Sequence, residues 1–556
     1  MSRMVEVNQF YLKFEANPDR YTLSDLNFCL NHGESLLLLG PSGCGKSTLT
    51  YCLNGLYPRE LDGEMRGEIV INGKPATEYR PGEISQQVGV VFQDPETQFC
   101  MLTVEDEVAF GLENIGVPHE IMEGKINHVL EMVQLLAFKK SAISSLSGGQ
   151  KQRLALACIL ALEPSLLILD EPTANLDPIA KKDVIHTIQS IQEKTNCSLI
   201  IIEHQLDGWT ELTERCLLLN RKGIIFYDGD IRDAIAFKLD ELQEQGIWLP
   251  KITQYLLKKR LKTEQKLPLT VKEFEEKPFS LFGNEEVNEG NNLPEAGLPY
   301  IKASHISWKV GQQPIIQDIS LTLYNGEFIA IVGANGSGKT SFSRILAGIQ
   351  RPTKGSVSIK DRKLGSWKES QLREEVGYVF QNPEHQFIAN TVFDEIAFSL
   401  RLKMENEAVV KEKVQAVLET CGLLQLQHEH PYALSQGQKR RLSVAAMIVD
   451  DQPFLLLDEP TFGQDASSNA ELMGLLQGRY ESGATIAMIT HDMELIHDFA
   501  TRVIVLHKGR LVADLAPTEL WQLPIEKLHK WQLALPIQVQ VQNCLKKEGD
   551  YAAQSS

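Results

Sequence analysis

The sequence predicts an α/β fold made twice over, as two consecutive domains that are each a mainly parallel sheet flanked by helices. Three observations predict it. A glycine-rich loop, GPSGCGKST at 40–48, recurs as GANGSGKTS at 333–341; LSGGQ at 146–150 recurs as LSQGQ at 434–438; and LLILDEP ending at Pro172 recurs as FLLLDEP ending at Pro460. The spacings barely change. Lys46 and Lys339 lie 293 residues apart, Ser147 and Ser435 288, Asp170 and Asp458 288, and His204 and His491 287. A period held this closely across an ordered set marks the duplication of one whole domain.

Each half opens with strand-like sequence that runs to its glycine-rich loop. SLLLLG (35–40) and FIAIVG (328–333) are short apolar runs ending in glycine, the pattern of strands buried on both faces of a parallel sheet. Helices follow both loops. After each LSxGQ segment the apolar residues take helical spacing, at Leu154, Ala157, Cys158, Ala161 and Leu162 and at Leu442, Ala445, Ala446 and Val449. These helices lead into the second apolar strands. Beyond the histidines, 216–229 and 503–515 read as hairpins turning at Lys-Gly and closing each sheet. LPKITQYLLKK from Leu249 is echoed by LPIQVQVQNCLKK from Leu535, so each half carries a small helical appendix. The expected domains are 1–282, with a core at 4–245, and 300–545; 283–299 is an acidic, Asn- and Gly-rich linker and 546–556 a disordered tail.

Composition sets the outer limits. A chain of 556 residues with 43% hydrophobic content is long enough for domains with substantial cores. A formal charge of −18 argues against a nucleic-acid partner, which needs a basic face to neutralise phosphates. The nine cysteines contain no CxxC pair, so neither a disulfide framework nor a zinc knuckle is suggested and the compartment is expected to be reducing. The amino terminus alternates like a strand and lacks a signal-peptide core. No apolar run approaches the roughly 18–20 residues needed to span a bilayer, so any membrane work is expected to need another polypeptide.

The repeated residues fit one chemistry. A phosphate cradle needs glycines that let backbone N–H groups turn inward, a helix N-terminus, a lysine for the terminal phosphates and a hydroxyl for magnesium. Gly40, Gly43, Gly45, Lys46, Ser47 and Thr48 supply that set, as do Gly333, Gly336, Gly338, Lys339, Thr340 and Ser341. Asp170 and Asp458 end their strands where open α/β sheets bind ligands, placed to hold Mg2+. Glu171 and Glu459 follow, placed to polarise a water for in-line attack on the γ-phosphate of ATP. His204 and His491 end β-branched strands at matched spacing and take the role of contacting that phosphate. Gln93 and Gln381, with matched flanks, take a sensing role beside the metal, so that Ser47, Gln93 and Asp170 form one metal set and Thr340, Gln381 and Asp458 the other.

Ser147, Gly148, Gly149 and Gln150, and Ser435, Gly437 and Gln438, precede helices, whose N-termini favour anions. Each domain's own loop already holds its own nucleotide. The expected geometry is therefore an intramolecular head-to-tail pseudo-dimer, with each LSxGQ segment facing the other half's ATP. Gln436 stands where the first half has a glycine, which predicts that the site built from Lys46 and Ser435 is the slower one. Cys44 lies beside the phosphate path, so its alkylation is expected to block ATP, with protection by nucleotide. His428, Glu429 and His430 near Cys421 fall short of the three or four converging ligands of a metal site.

The ordered P-loop, Q-loop, LSGGQ, Walker strand, D-loop (Asp177, Asp465) and closing histidine resemble ATP-binding-cassette (ABC) ATPases in both halves, about four-fifths of the chain. More narrowly, VFQDPETQF with TVEDEVAFGLENIG, and VFQNPEHQF with TVFDEIAF, resemble the ATPases of energy-coupling factor (ECF-type) importers of vitamins or transition-metal ions. The fused arrangement is similar to their hydroxymethylpyrimidine/thiamine or cobalt branch. For each half the resemblance implies a P-loop NTPase domain with an antiparallel β subdomain and a helical signature subdomain beside the parallel-sheet core. It also implies a membrane T subunit, a small membrane substrate-binding subunit, and a peripheral position on the cytoplasmic face. An adenine-stacking aromatic is implied near Phe14, with Val310 at the second position and Trp308 close by. Glu96, Glu105, Asp106, Glu384 and Asp394 are implied as receivers of arginines from the T subunit, with solvated surface charge the competing reading. Two other readings stay open. One is a ribosome-associated tandem-cassette translation factor, which the acidic linker does not favour; the other is a monosaccharide-importer ATPase, in which one half is usually degraded.

Overall fold

The computed structural model describes residues 2–15, 20–174, 176–213, 215–259, 267–276, 297–403 and 406–554, with side chains up to 546. The chain forms two compact units, one built on Met1–Leu176 and Ala180–Lys277, the other on Pro278–Gln464 and Ser468–Ser556. The linker expected at 283–299 lies outside the described residues up to 296, and Pro299 already opens a strand.

In the first unit the strands are β1 (Arg3–Phe14), β2 (Leu23–Asn31), β3 (Ser35–Leu39), β4 (Gly63–Ile71), β5 (Lys74–Pro75), β6 (Val88–Val91), β7 (Leu166–Asp170), β8 (Ser198–Ile202), β9 (Arg215–Leu219) and β10 (Ile225–Asp230). Among the described residues they form a central sheet in the order β10-β9-β3-β8-β7-β6 and an antiparallel sheet in the order β2-β1-β4-β5. Only β10 runs antiparallel in the central sheet, as the partner of β9 in the expected hairpin.

The apolar runs explain the layering. Strand side chains alternate between faces, so a strand covered on both sides must be apolar at every position. Leu36, Leu38, Leu166, Ile168, Ile200 and Ile202 pack with Val5, Val7 and Phe10 of the antiparallel sheet. Leu37, Leu39, Leu167, Leu169, Leu199 and Ile201 pack instead with Val104, Val108, Leu154 and Leu156 of the helical side. Each such fully buried side chain contributes about 1.5–3 kcal/mol. One inserted residue in β7 would exchange the two faces and move Asp170 off the sheet edge.

The second unit repeats the plan with β11 (Pro299–Val310), β12 (Gln313–Tyr324), β13 (Phe328–Val332), β14 (Lys354–Ile359), β15 (Arg362–Lys363), β16 (Val376–Val379), β17 (Phe454–Asp458), β18 (Thr485–Ile489), β19 (Arg502–His507) and β20 (Arg510–Leu515). Its sheets run β16-β17-β18-β13-β19-β20 and β12-β11-β14-β15, the same topology. Both hairpin turns need their glycine. A Cβ on Gly223 (φ 67°) would sit 1.9 Å from the Thr22 carbonyl oxygen, and one on Gly509 (φ 76°) 2.3 Å from that of Ile315.

The appendices are helical in both units. They are the helices Lys251–Lys258 and Ile537–Gln554. The segments leading into them pack differently: Ile231, Ile235, Leu242 and Leu249 join the first unit's helical-side core, whereas Leu520, Trp521, Leu528 and Trp531 make a separate core against Ala330, Val332, Val503 and Val505. The closing helix runs Ile537–Gln554, where a tail was expected from 546. Apart from Gly549 that stretch holds no strong breaker, and Ala552, Ala553 and Gln554 favour helix. Among the described residues no helix is long and apolar enough to cross a membrane.

Candidate functional site

Both glycine-rich loops leave a buried strand and enter a helix at its first turn. β3 ends at Leu39 and a helix begins at Lys46; β13 ends at Val332 and its helix begins at Lys339. The preceding Gly45 and Gly338 have φ of 103° and 97°, and a Cβ on either would come within 2.6 Å of Leu23 or Ile316. Only glycine lets the chain turn here against its own antiparallel sheet. Lys46 Nζ donates to the carbonyls of Gly40 (2.8 Å) and Pro41 (3.0 Å), and Lys339 Nζ to those of Gly333 (2.8 Å) and Ala334 (2.9 Å). Burial pulls the Lys339 ammonium below its ordinary value, while Glu459 pulls the other way. A buried cation framed by helix N–H groups suits the terminal phosphates of a nucleotide.

Asp170 and Asp458 end β7 and β17, and the next residue in each unit does something the sequence does not announce. Glu171 has φ 50° and Glu459 φ 48°, the left-handed region, which costs a non-glycine residue about 1–3 kcal/mol. Each glutamate keeps its amide bonded to the neighbouring strand, Glu171 N–H to Ile202 (2.9 Å) and Glu459 N–H to Ile489 (3.0 Å). The twist throws the carboxylates back over the sheet edge. There Gln93 Nε2 donates to Glu171 (2.6 Å) and Gln381 Nε2 to Glu459 (3.0 Å). His204 Nε2 lies 2.9 Å from Glu171, and His491 Nε2 3.2 Å from Glu459 but off the line of a hydrogen bond. Glutamine, glutamate and histidine from three separate segments thus meet in each unit.

The neighbouring aspartates pair with hydroxyls. Thr340 Oγ1 donates to Asp458 at 3.2 Å, and the matching Ser47 hydroxyl counters the effect of burial on Asp170. A hydroxyl beside a carboxylate is a hard-oxygen pair of the kind that, with phosphate oxygens and water, suits Mg2+. Burial, and then the Glu171 charge, pushes Asp170 up to about 6; burial likewise raises Asp458. The glutamates go the other way. Burial works to raise Glu171, but His204 and Lys46 outweigh it and leave the carboxyl below its ordinary range, and His491 and Lys339 do the same for Glu459. An ionised glutamate next to a metal-type aspartate is the division of labour that water activation requires.

Ser147 and Ser435 cap the helices Gly148–Leu160 and Gln436–Ile448. Each serine Oγ accepts from the backbone of Gln150 or Gln438, whose side chain accepts the serine N–H in return (2.8 and 2.9 Å). Such capping boxes hold the helix start in place. Gln436 is exposed at the first helical position.

Other expected residues fare differently. The Cys44 thiol is 2% exposed and burial pushes it up, so it is a poor target for alkylation; Cys100 is exposed. A brief maleimide treatment read by peptide mass spectrometry is expected to modify Cys100 well before Cys44, and equal rates would contradict the burial. Glu96 pairs with Lys151 and Glu384 with Lys439, both at 2.6 Å; Glu105 pairs with Lys139 and Lys140, and Asp394 with Arg401. Asp106 accepts from Thr103. These carboxylates already have partners within their own units. Phe14 is half-buried, edge-on to Tyr57 at 6.1 Å, while Val310 is exposed and Trp308 packs on the second antiparallel sheet. His430 accepts from the Tyr432 N–H, and Cys421 is fully buried.

Two neighbours of the second site escaped the sequence reading. Tyr378, where the first unit has Val90, lies 3.4 Å from Asp458 through its hydroxyl and 3.1 Å from Ser343 Oγ. Arg440, where the first unit has Gln152, donates to the Phe380 carbonyl, and burial pulls its guanidinium down to about 10. The one-residue differences between VGVVFQ and VGYVFQ, and between QKQR and QKRR, were the available signals.

The family model described as "ABC transporter" matches residues 23–174 and 316–462, one copy in each unit. The chain is 43% identical over 538 residues to the "Putative HMP/thiamine import ATP-binding protein YkoD" of Bacillus subtilis, covering 96% of this chain and 95% of that one. It is 34% identical over 555 residues to a "Putative ABC transporter ATP-binding protein" of Methanosarcina mazei, covering 96% and 92%. Among solved structures it is similar to CbiO1 of Clostridium perfringens, part of the ABC transporter complex CbiONQ, at 27% identity and a TM-score of 0.40 over 46% of this chain and all of that one.

Proposed function

Because the chain belongs to the ABC transporter ATP-binding family, we propose that it is the paired ATPase of an ECF-type importer, coupling hydrolysis to uptake of a vitamin or metal-ion solute. As a tandem ABC ATPase it binds and hydrolyses ATP with Mg2+. The observation that carries the coupling role is that both units keep a complete Gln–Glu–His group beside an intact phosphate loop.

In this reading Lys46 and Lys339 take the terminal phosphates. Ser47 with Asp170, and Thr340 with Asp458, hold Mg2+, with Gln93 and Gln381 sensing its surroundings. The metal neutralises charge on the phosphate oxygens. Glu171 and Glu459 orient and polarise the attacking water, while His204 and His491 hold those carboxylates and reach the γ-phosphate. Ser147 and Ser435, each at a helix N-terminus, face the nucleotide of the opposite half. ATP then draws the halves together as a head-to-tail pseudo-dimer and hydrolysis releases them.

The name of the Bacillus relative and the Q-loop resemblance favour a hydroxymethylpyrimidine- or thiamine-class solute. Partners in this reading are a T-type membrane subunit and a small membrane substrate-binding subunit, met at the cytoplasmic face. Glu96, Glu105 and Glu384 would exchange their internal lysines for the partner's arginines, as bidentate pairing favours. Detergent pull-downs with the tagged chain are expected to retain a membrane subunit, and Glu96→Lys with Glu384→Lys to release it at an unaltered melting temperature. Retention by the double variant would remove this docking surface. Co-sedimentation with ribosomes in place of membranes would remove the transport reading altogether.

A further inference from the structure

We propose that Glu203 is a positioning residue for hydrolysis in the first unit, clamping the turn that holds Glu171 in its left-handed conformation. The proposal rests on the reading of Glu171 as the water-polarising carboxylate.

Three consecutive residues at the end of β8, Ile202, Glu203 and His204, grip two residues just past the end of β7, Glu171 and Thr173. The Ile202 carbonyl accepts the Glu171 N–H at 2.9 Å, and His204 Nε2 lies 2.9 Å from the Glu171 carboxylate. Between them, Glu203 Oε1 accepts both the Thr173 N–H (3.2 Å) and the Thr173 hydroxyl (2.6 Å). Glu203 and Thr173 are buried, at 5% and 6% exposure. The Ala174 N–H closes the turn back onto the Glu171 carbonyl at 3.0 Å. Glu171 sits at φ 50°, a conformation a glutamate leaves unless its surroundings hold it. With Ile202 fixing residue 171 and Glu203 fixing residue 173, the strained turn is held from both ends.

Among the described residues the second unit has no such third grip. Thr490 stands in place of Glu203 and turns its hydroxyl onward to accept the Asp492 N–H at 3.0 Å. There the strand carbonyl and the histidine remain, and the histidine contact is the longer one, 3.2 Å. Among the described residues the hydrogen bonds of Glu203 go to Thr173, which belongs to neither the phosphate loop nor the Mg2+-type set, so it acts through Glu171. A water-polarising carboxylate contributes through placement, and small displacements cost rate more than affinity.

The test uses the full chain carrying Glu459→Gln, so that ATP turnover reports the first unit's glutamate. In that background Glu203→Thr, which copies the second unit, is expected to lower kcat about tenfold or more with KM for ATP within about twofold. Glu203→Gln keeps an oxygen that can accept both bonds and is expected to restore kcat to within about threefold. Thr173→Val combined with Glu203→Thr is expected to fall no further than Glu203→Thr alone, since both remove one interaction. A kcat for Glu203→Thr within twofold of its parent, a change confined to KM, an equal loss with Glu203→Gln, or multiplicative losses in the double variant would each overturn the clamp. Should Glu203→Thr fail to fold, Thr173→Val alone removes only the hydroxyl bond; a kcat lowered severalfold supports the clamp and an unaltered one overturns it. Glu171→Gln in the same background separates the two ideas. If it leaves turnover intact, the role of Glu171 fails; if it abolishes turnover while Glu203→Thr does not lower kcat, only the clamp fails.

Discussion

Replacing both Glu171 and Glu459 by glutamine is expected to lower ATP turnover by about two to four orders of magnitude while nucleotide still binds. Each glutamate is half-buried, ionised and held within hydrogen-bond reach of a glutamine on one side and close to a histidine on the other. Glutamine matches the shape but cannot accept a proton. The single changes are expected to be unequal. Gln436 occupies the first turn of the second signature helix, so under the proposed head-to-tail pairing, in which this helix would face the nucleotide held by Lys46, losing Glu459 is expected to cost more than losing Glu171. A coupled phosphate-release assay on the two single variants and the double variant reads all three values. Equal single losses would remove the asymmetry; a double variant keeping more than about a tenth of the activity would remove the glutamates from the chemistry.

Replacing Lys46 and Lys339 by alanine is expected to weaken ATP binding by about 100-fold or more. Both ammonium groups are buried, and each meets two loop carbonyls at 2.8–3.0 Å. Their removal leaves those carbonyls without a donor and, with Lys46 and Lys339 as the proposed phosphate ligands, would also delete charge-assisted bonds to phosphate. Arginine is not expected to rescue, because its planar fork is wider than the compact ammonium this loop encloses. Titration with a fluorescent ATP analogue measures the loss. Affinity within about threefold of the parent would show that backbone N–H groups alone hold the triphosphate.

The strands, the loops and the duplication were legible because each rests on local pattern. SLLLL and LLILD are apolar at every position, and only a strand covered on both faces explains that. The glycine spacing of the two loops likewise follows from backbone needs that residue type reveals. What stayed hidden depends on partners distant in sequence. Nothing in the letters DEP shows that Glu171 is twisted into the left-handed region, since the strain is held by Ile202 and its neighbours about thirty residues on. Glu203 reads as one polar residue in a β-branched strand until its bond to Thr173 is seen. Glu96 and Lys151 are 55 apart in the chain, so their pairing, which alters the docking argument, has no local trace. Cys44 looked reactive from its place in the loop, but the fold covers it.

The left-handed glutamates carry a cost for anyone seeking a hardier protein. At φ near 50° glycine is at ease, and asparagine nearly so, whereas glutamate is held against its preference. Libraries screened only for survival at high temperature are therefore expected to enrich glycine at 171 and 459, and the winners would be robust, well-expressed and inert.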